Sequence, residues 1–492
     1  MSVLAVDAGT TGVTALVVSE QGRVVAKGHQ EFPQHFPAPG LVEHDPDEIW
    51  TAVLGACSAA LGAAEQAGAT PVSCLGLTNQ RETVVLWDRV TMRPATRAIV
   101  WQDRRSAGEC DRLREHEPRI RALTGLPLDP YFSATKLSWL RANAPGTWEG
   151  VRAGRVAAGT VDSYLLARLT GGRLHATDPS NASRTLLFDL AAARWSAELT
   201  ELFGVPESAL PEIVPSSAPV GRTAPEHFLG LDVPICGIAG DQQAALFGHA
   251  AFTPGDMKCT YGTGSFLLVN TGDRIADGGG ALLSTVAWQL GDEPVRYALE
   301  GSVFVTGAAV QWLRDGLGLI GDSAGSERLA ASVAGSEGLV FVPALTGIGS
   351  PHWDPAARGA LLGITRGTTA AHLARAVLEG IAYQIRDVVE AVAGTAGIPV
   401  SRLAVDGGAS ANDLLCQIQA DLLGRPVARP ETTETTGLGA AFLAGLAGGV
   451  WSGPGEIAAA RGDVRVFSPR EVAEDGYRRW LDAVDAVRRF GS

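Results

Sequence analysis

Asp241 stands at the end of an apolar run, Val233 to Ala239, and is followed by Gln242, Gln243 and the stretch Ala244 to Phe247. The run reads as a buried strand and the stretch after it as a helix start. At such a corner of an open α/β sheet a carboxylate faces the crevice where ligands bind, and could take a proton from a substrate hydroxyl. An Asp there also reads as a plain helix cap. A second carboxylate, Asp7, opens the turn Asp7-Ala8-Gly9-Thr10-Thr11-Gly12. Its glycines let amide N–H groups converge on an anion, and its hydroxyls add donors. Asp7 could hold a water on Mg²⁺, although the same residues make an ordinary polar hairpin turn. Tyr261-Gly262-Thr263-Gly264-Ser265 repeats the Gly-Thr combination about half a chain later. Two matched turns imply a duplicated architecture with one phosphate-gripping hairpin per half. Neither has the Walker A pattern.

Further groups could recognise a small ligand. Arg81 and Glu82 are adjacent at the end of a strand, where a donor fork and an acceptor could meet vicinal hydroxyls; a solvated ion pair is the plainer alternative. Trp101 could wall the apolar side of such a ligand or belong to the core. Tyr131 could present its hydroxyl or merely close a corner. Asp406-Gly407-Gly408-Ala409-Ser410-Ala411-Asn412 joins a strand to a helix, and its bare backbone could approach a nucleotide; a capped βα turn, with Ser410 or Asn412 as cap, is the alternative.

The elements that must position these groups are read from periodicity. Val3–Val6, Val13–Val18 and Arg23–Ala26 form an antiparallel meander. Asp45 to Trp50 opens a helix with acidic residues in its first turn. Val72–Asn79 is a strand with Thr83–Trp87 as its hairpin partner, and Ala98–Trp101 is another strand. A helix covers Lys136–Asn143. Gly159–Leu169 and Ser183–Leu190 carry no evident chemistry and read as scaffold. Pro206–Pro225 reads as a loop region. Met257–Thr260 and Phe266–Asn270 flank the second Gly-Thr turn, Gly301–Leu313 enters a helix carrying Gln311, and Leu403–Val405 leads to the helix Asp413–Leu423. Glu471–Phe490 is an amphipathic docking helix.

Composition bounds the reading. The 492 residues suggest two or more domains, and 46% hydrophobic with 19% charged residues fits a globular chain with a large core. A net charge of −13 argues against general nucleic-acid or anionic-membrane binding. The six cysteines, at 57, 74, 110, 236, 259 and 416, form no CxxC pair and predict neither disulfides nor zinc. The N-terminus lacks a basic n-region, and Gly437 to Trp451 reads as a buried helix rather than a membrane span, so a cytoplasmic location is expected.

Taken together, these motifs resemble the FGGY carbohydrate kinases, of the actin and hexokinase-like ATPases. Gly359 to Glu379 (GALLGITRGTTAAHLARAVLE) resembles the C-terminal family signature, and Tyr131 to Asn143 the N-terminal one. GLTNQRETVVLW from Gly76, IVWQDRR from Ile99, GDQQAALFG from Gly240, Tyr261–Gly264, Phe341–Gly359, VDGGASAN from Val405 and ETTGLGAAFLAG from Glu434 match in the same order. The resemblance runs from about residue 3 to about residue 452, and within the family it points to glycerol as the acceptor.

That resemblance implies an α/β fold of two ribonuclease H-like domains around a cleft, residues 1–250 carrying the polyol site and first phosphate hairpin and 251–492 the nucleotide. It implies phosphorylation of glycerol to sn-glycerol 3-phosphate by ATP and Mg²⁺, with Asp241 as base. Arg81, Glu82, Tyr131, Asp241 and Gln242 match polyol-binding positions, with Trp101 and Phe266 as walls. Thr10, Thr11, Thr263, Gly307, Gln311, Gly408 and Asn412 match nucleotide-binding positions, and Asp7 and Asp241 the metal-linked carboxylates. It further implies a homo-oligomer, dimer or tetramer. The first turn departs from the glycerol-specific pattern: Ala8, Gly12 and Thr14 stand where Gln, Ser and Arg are usual, which removes one fixed positive charge. A kinase for another small polyol or ketose is therefore the alternative. A non-catalytic nucleotide-binding regulator is a third reading, opposed by Asp7, Asp241 and both hairpins.

Overall fold

The chain is described from a computed structural model, which covers residues 1–470 and 474–491. Two large mixed sheets are built to the same plan. The first contains β1 (Ser2–Ala8), β2 (Gly12–Ser19), β3 (Val24–Glu31), β4 (Val72–Asn79), β5 (Ser217–Arg222) and β6 (Pro234–Gly240), in the order β5-β6-β4-β1-β2-β3. β1, β2 and β3 are antiparallel, β4 and β6 continue the sheet parallel to β1, and β5 closes the edge antiparallel. The second contains β7 (Met257–Tyr261), β8 (Ser265–Gly272), β9 (Leu283–Trp288), β10 (Arg296–Val303), β11 (Leu403–Asp406), β12 (Val427–Pro430) and β13 (Val464–Phe467), in the order β9-β10-β8-β7-β11-β12-β13. There β7, β8 and β10 form the meander, β11 and β12 are parallel to β7, and β13 is the antiparallel edge. The duplication read from the two Gly-Thr turns is thus a duplication of sheet topology, with each turn joining the first two strands of its sheet.

The central strands are apolar on both faces because helices cover both. Val3, Leu4, Ala5 and Val6 have no exposed surface, as expected for sheet interiors in α/β layers. α1 (Pro46–Gln66) packs on β2 and β3 and starts as its acidic first turn predicts, with the Asp45 side chain accepting from the Asp47 amide at 3.0 Å. α2 (Asp241–Gly248) leaves β6 directly. α3 (Gly307–Gln311), α4 (Ala370–Ala396) and α5 (Asp413–Leu423) belong to the second half. α6 (Thr435–Ala447), although late in the chain, packs on α2, β1, β4 and β6 of the first sheet. Its crossing with α2 is backbone-close: a Cβ on Gly439 would lie 1.7 Å from the Ala244 carbonyl oxygen. α7 (Glu474–Gly491) matches the amphipathic C-terminal helix, with Trp480, Ala483, Val484 and Val487 turned into the second core; residues 471–473 of that expectation lie outside the described residues.

The structure corrects several local readings. Thr83–Trp87 is not the hairpin partner of β4. Both edges of β4 are taken by β1 and β6, so the chain turns away through Glu82, in the left-handed region at φ 61°, and Val85–Asp88 pairs with Val156–Gly159 instead. Gly301 is not in a helix but in β10, and the helix begins six residues later at Gly307. Part of Pro206–Pro225 is β5, the edge strand beside β6. No helix among the described residues is long and apolar enough to cross a membrane, and 437–447 is buried helix as expected.

Candidate active site

Asp241 is the first residue of α2, and its neighbour Gly240 is the extended N-cap. Its side chain therefore does not cap the helix in the usual way; Oδ1 accepts from the Gln242 amide at 2.7 Å and lies 3.1 Å from Arg81 Nε. Arg81 comes from the end of β4, the strand beside β6, so the parallel pairing of these strands brings the two residues together. The Asp241 side chain keeps 27% of its surface exposed, against 2% for Arg81 and 2% for Glu82. The carboxylate is thus the accessible tip of a buried charged group.

That group is not the surface ion pair that Arg81 and Glu82 could have formed. Arg81 donates to both oxygens of Glu300 in β10, from Nη1 at 2.5 Å and Nη2 at 3.2 Å, and to Gln243 Oε1 at 3.3 Å. Arg184, in a segment that reads as scaffold from sequence, donates to Glu82 from Nε at 2.7 Å and to Glu300 from Nη2 at 2.9 Å. Burial alone would weaken the protonated form of Arg81, but the Glu300 and Glu82 carboxylates more than reverse this and hold its pKa above the ordinary value. Burial pushes the Glu82 carboxyl up, against the pull of Arg81 and Arg184, whereas the two guanidiniums outweigh burial at Glu300 and hold it down.

Aromatic rings enclose the same space. Trp101 lies edge-on to Tyr131, centroids 5.6 Å apart, and to Phe266 at 6.3 Å. The Arg81 guanidinium sits 6.0 Å from the Phe266 centroid. Trp101 Nε1 donates to Thr10 Oγ1 at 3.0 Å, tying this wall to the first Gly-Thr turn. Gln242 is almost buried, and its carboxamide oxygen accepts from Lys258, a fully buried ammonium in β7 that also donates to Thr260 Oγ1 at 2.9 Å. The oxygen being taken, the amide N–H₂ is the end left for a ligand. Tyr131 is held from behind by buried Lys136, which donates to the Pro130 carbonyl at 2.7 Å and the Tyr131 carbonyl at 2.6 Å.

A cavity of about 560 Å³ opens in the second half, lined by Thr263, Gly307, Gln311, Gly408 and Asn412 together with Tyr261, Ser326, Glu327, Leu378 and Leu415. Its floor is backbone. The Gly307 amide donates to the Gly262 carbonyl at 2.9 Å, so the second Gly-Thr turn and the start of α3 are one unit. Gly407 adopts φ 80°, with room for no Cβ: it would lie 2.6 Å from the Tyr261 carbonyl oxygen. Asn412, not Ser410, caps α5, accepting from the Leu415 amide at 2.9 Å. Thr10 and Thr11 do not line this cavity; they sit on the first sheet's turn, beside Trp101.

Asp7 is the penultimate residue of β1 in the first sheet, one position before Ala8 closes the strand. Burial raises its pKa first, then the Asp241 and Glu434 carboxylates, to about 8. An acid under such strain suits a divalent cation, which would neutralise it. Among the described residues no group of three or more His, Cys, Asp or Glu could hold a metal ion alone. Mg²⁺ takes one or two carboxylates and completes its octahedron with waters and phosphate oxygens.

Sequence reasoning missed Arg184, Glu300 and Lys258. The available signal was a charge inside an apolar strand, Leu299-Glu300-Gly301 and Met257-Lys258-Cys259, since such residues are almost never fully buried unless paired.

The comparisons with known proteins agree along the whole chain. Residues 2–248 match the N-terminal domain model of the FGGY family of carbohydrate kinases, and residues 257–448 the C-terminal one. A glycerol kinase of Thermus brockianus is 53% identical over 492 residues, covering 99% of this chain and 98% of the relative. One from Bordetella parapertussis is 52% identical over 491 residues, covering 98% and 96%. Among solved structures, the Plasmodium falciparum glycerol kinase with ADP superposes with a TM-score of 0.93 at 33% identity, covering 99% of this chain and 98% of that one. Shared sheet plan, shared motifs in order and full-length similarity lead to one conclusion: the chain belongs to the FGGY family of carbohydrate kinases.

Proposed function

We propose that the protein transfers the γ-phosphoryl group of ATP to a terminal hydroxyl of glycerol, giving sn-glycerol 3-phosphate, with Asp241 as the general base. The observation that carries this reading is the placing of Asp241. It is the partly exposed acid of a buried Arg–Glu cluster, and its partner Arg81 lies beside the Phe266 ring, which is edge-on to Trp101. The similarity to glycerol kinases, about half identical over the full chain, supports glycerol as the acceptor.

Arg81 and Glu82 present a donor and an acceptor to vicinal hydroxyls, the Gln242 amide adds a donor, and Trp101, Tyr131 and Phe266 cover the carbon face. Thr263, Gly307, Gln311, Gly408 and Asn412 hold the nucleotide, and Thr10 and Thr11 approach its phosphates from the first sheet. Asp7 and Asp241 would hold Mg²⁺, whose charge neutralises the phosphate oxygens when bound. The transition state for phosphoryl transfer is loose, so alignment and charge stabilisation carry most of the catalysis. Asp241, at ~3 Å from the attacking hydroxyl, accepts its proton as the bond to phosphorus forms. The division of labour follows a boundary near residue 250, with the polyol held by residues 1–250 except for the Phe266 wall, and the nucleotide by 251–492 with the phosphate turn of the first sheet.

A second reading, another small polyol or ketose, draws on Thr14, whose hydroxyl pairs with His29 Nδ1 at 3.0 Å where a fixed cation is usual. The test is a polyol and ketose panel with ATP. The proposal requires kcat/KM to be highest for glycerol; a much higher value for another acceptor replaces it. The reading extends to a homo-oligomer, dimer or tetramer, in the cytoplasm, which sedimentation velocity and cell fractionation test.

A further inference from the structure

Behind the substrate clamp lies a charged layer that the reaction just proposed does not use directly. Arg184 follows the short helix Pro179–Ala182, and Glu300 sits mid-strand in β10; neither has any exposed surface. Glu300 spreads its carboxylate over two guanidinium groups, taking Arg81 Nη1 on Oε2 and Arg81 Nη2 with Arg184 Nη2 on Oε1. Arg184 Nε holds Glu82 Oε1. The result is a chain of alternating charge, Asp241–Arg81–Glu300–Arg184–Glu82, with the proposed base at one end and the clamp's acid at the other.

Arg81 and Glu82 are adjacent opposite charges, and in a dry site they would close on each other in a bidentate pair. They do not: the closest approach, from Arg81 Nε, is 3.8 Å. Glu300 occupies both terminal nitrogens of Arg81, and Arg184 draws Glu82 to the other side. Arg184 is pinned in turn against two rings, with its guanidinium carbon 5.8 Å from the Tyr131 centroid and 5.4 Å from that of Phe132. One donor, Arg184 Nη1, is buried without a hydrogen-bond partner.

We propose that Arg184 and Glu300 are positioning residues for polyol recognition: they keep Arg81 and Glu82 apart, so that each retains hydrogen-bonding capacity for vicinal hydroxyls. This rests on the reading of Arg81 and Glu82 as the polyol clamp. It assigns substrate affinity to a strand of the second sheet that touches no substrate.

The test is steady-state kinetics on the full-length protein, varying glycerol and ATP separately, for wild type, Glu300→Gln, Arg184→Met and Arg184→Lys, with thermal unfolding measured on each. Glu300→Gln and Arg184→Met are expected to raise KM for glycerol at least tenfold and leave KM for ATP within twofold. Arg184→Lys, which keeps the charge without the fork, recovers part of the loss. A pH series gives an independent readout. Glu82 is faced by Arg81, Arg184, Glu300, Tyr131 and Lys136. Removing Arg184 takes away a cation that favours the ionised acid. KM for glycerol then climbs toward low pH in Arg184→Met over a range where the wild type is flat. Should Glu300→Gln or Arg184→Met not fold, Glu300→Asp and Arg184→Lys are read in the same way. Unchanged glycerol KM, or glycerol and ATP KM rising together with lost thermal stability, overturns the inference. A wild type inactive on glycerol but active on another acceptor overturns the substrate reading, and the inference is then judged on that acceptor.

Discussion

Replacing Asp241 by Asn removes the base while keeping the residue's size and its contacts within the protein, and saturating Mg²⁺ offsets the weaker metal ligand. The amide oxygen of Asn can still accept from the Gln242 amide, which the carboxylate now meets at 2.7 Å, and can still lie beside Arg81 Nε, now 3.1 Å away. Without Asp241, the buried quartet of Arg81, Arg184, Glu82 and Glu300 is formally neutral, so no uncompensated charge is created. The stability change is therefore about 1 kcal/mol, one charge-assisted hydrogen bond weakened to a neutral one. Arg81 stays anchored by its two bonds to Glu300, and KM for glycerol should move less than about fivefold, because a single net hydrogen bond is worth about 1 kcal/mol. What disappears is the proton acceptor. A positioned base contributes roughly 10²- to 10⁴-fold, or about 3–5 kcal/mol of barrier at roughly 1.4 kcal/mol per decade. A coupled spectrophotometric assay at saturating ATP, glycerol and Mg²⁺, beside circular dichroism, measures both terms. A folded variant with kcat within threefold of wild type would refute the assignment of Asp241 as base.

Three other outcomes follow from the same geometry. Gly407→Ala puts a Cβ where the Tyr261 carbonyl oxygen stands, at a φ of 80°, and should cost about 1–3 kcal/mol; KM for ATP should rise while KM for glycerol holds. Trp101→Ala removes the ring between Tyr131 and Phe266 together with its bond to Thr10; losing part of an aromatic contact worth roughly 1–3 kcal/mol should raise KM for glycerol by about 5- to 100-fold. Lys136 has its pKa lowered to about 7, by burial first, from 10.5. Between those values the unfolded chain binds a proton that the folded one does not, so stability should rise with pH across 7 to 10.5 and level off above. Chemical denaturation across that range should show the rise in wild type and a smaller one in Lys136→Met.

Much of the scaffold is legible because its signals are local. β1, β2 and β4 are largely apolar runs ending at Gly or polar turns, α1 opens with Asp45 and Pro46, and α5 runs over the expected Asp413–Leu423. The repeat of a Gly-Thr turn half a chain apart announces the doubled topology. The failures are matters of pairing and of where one element hands over to the next. The strand Val85–Asp88 has the periodicity of a hairpin partner for β4, but β1 and β6 already occupy both edges of that strand. Ser183–Leu190 lacks a motif, so Arg184 has no local mark of its role.

Turn chemistry and apolar periodicity act over a few neighbours, so the amino-acid order alone determined the α/β class and the doubled hairpin, while its ordered motifs, by their resemblance to known kinases, carried the family and the residues expected at the substrate. Only the folded chain decided that Arg81 and Glu82 are buried rather than solvated, and that Glu300 and Arg184 hold them apart. Those contacts join residues 81, 184, 241 and 300, and the energy of a charge depends on which partners and how much water surround it, which no stretch of sequence records.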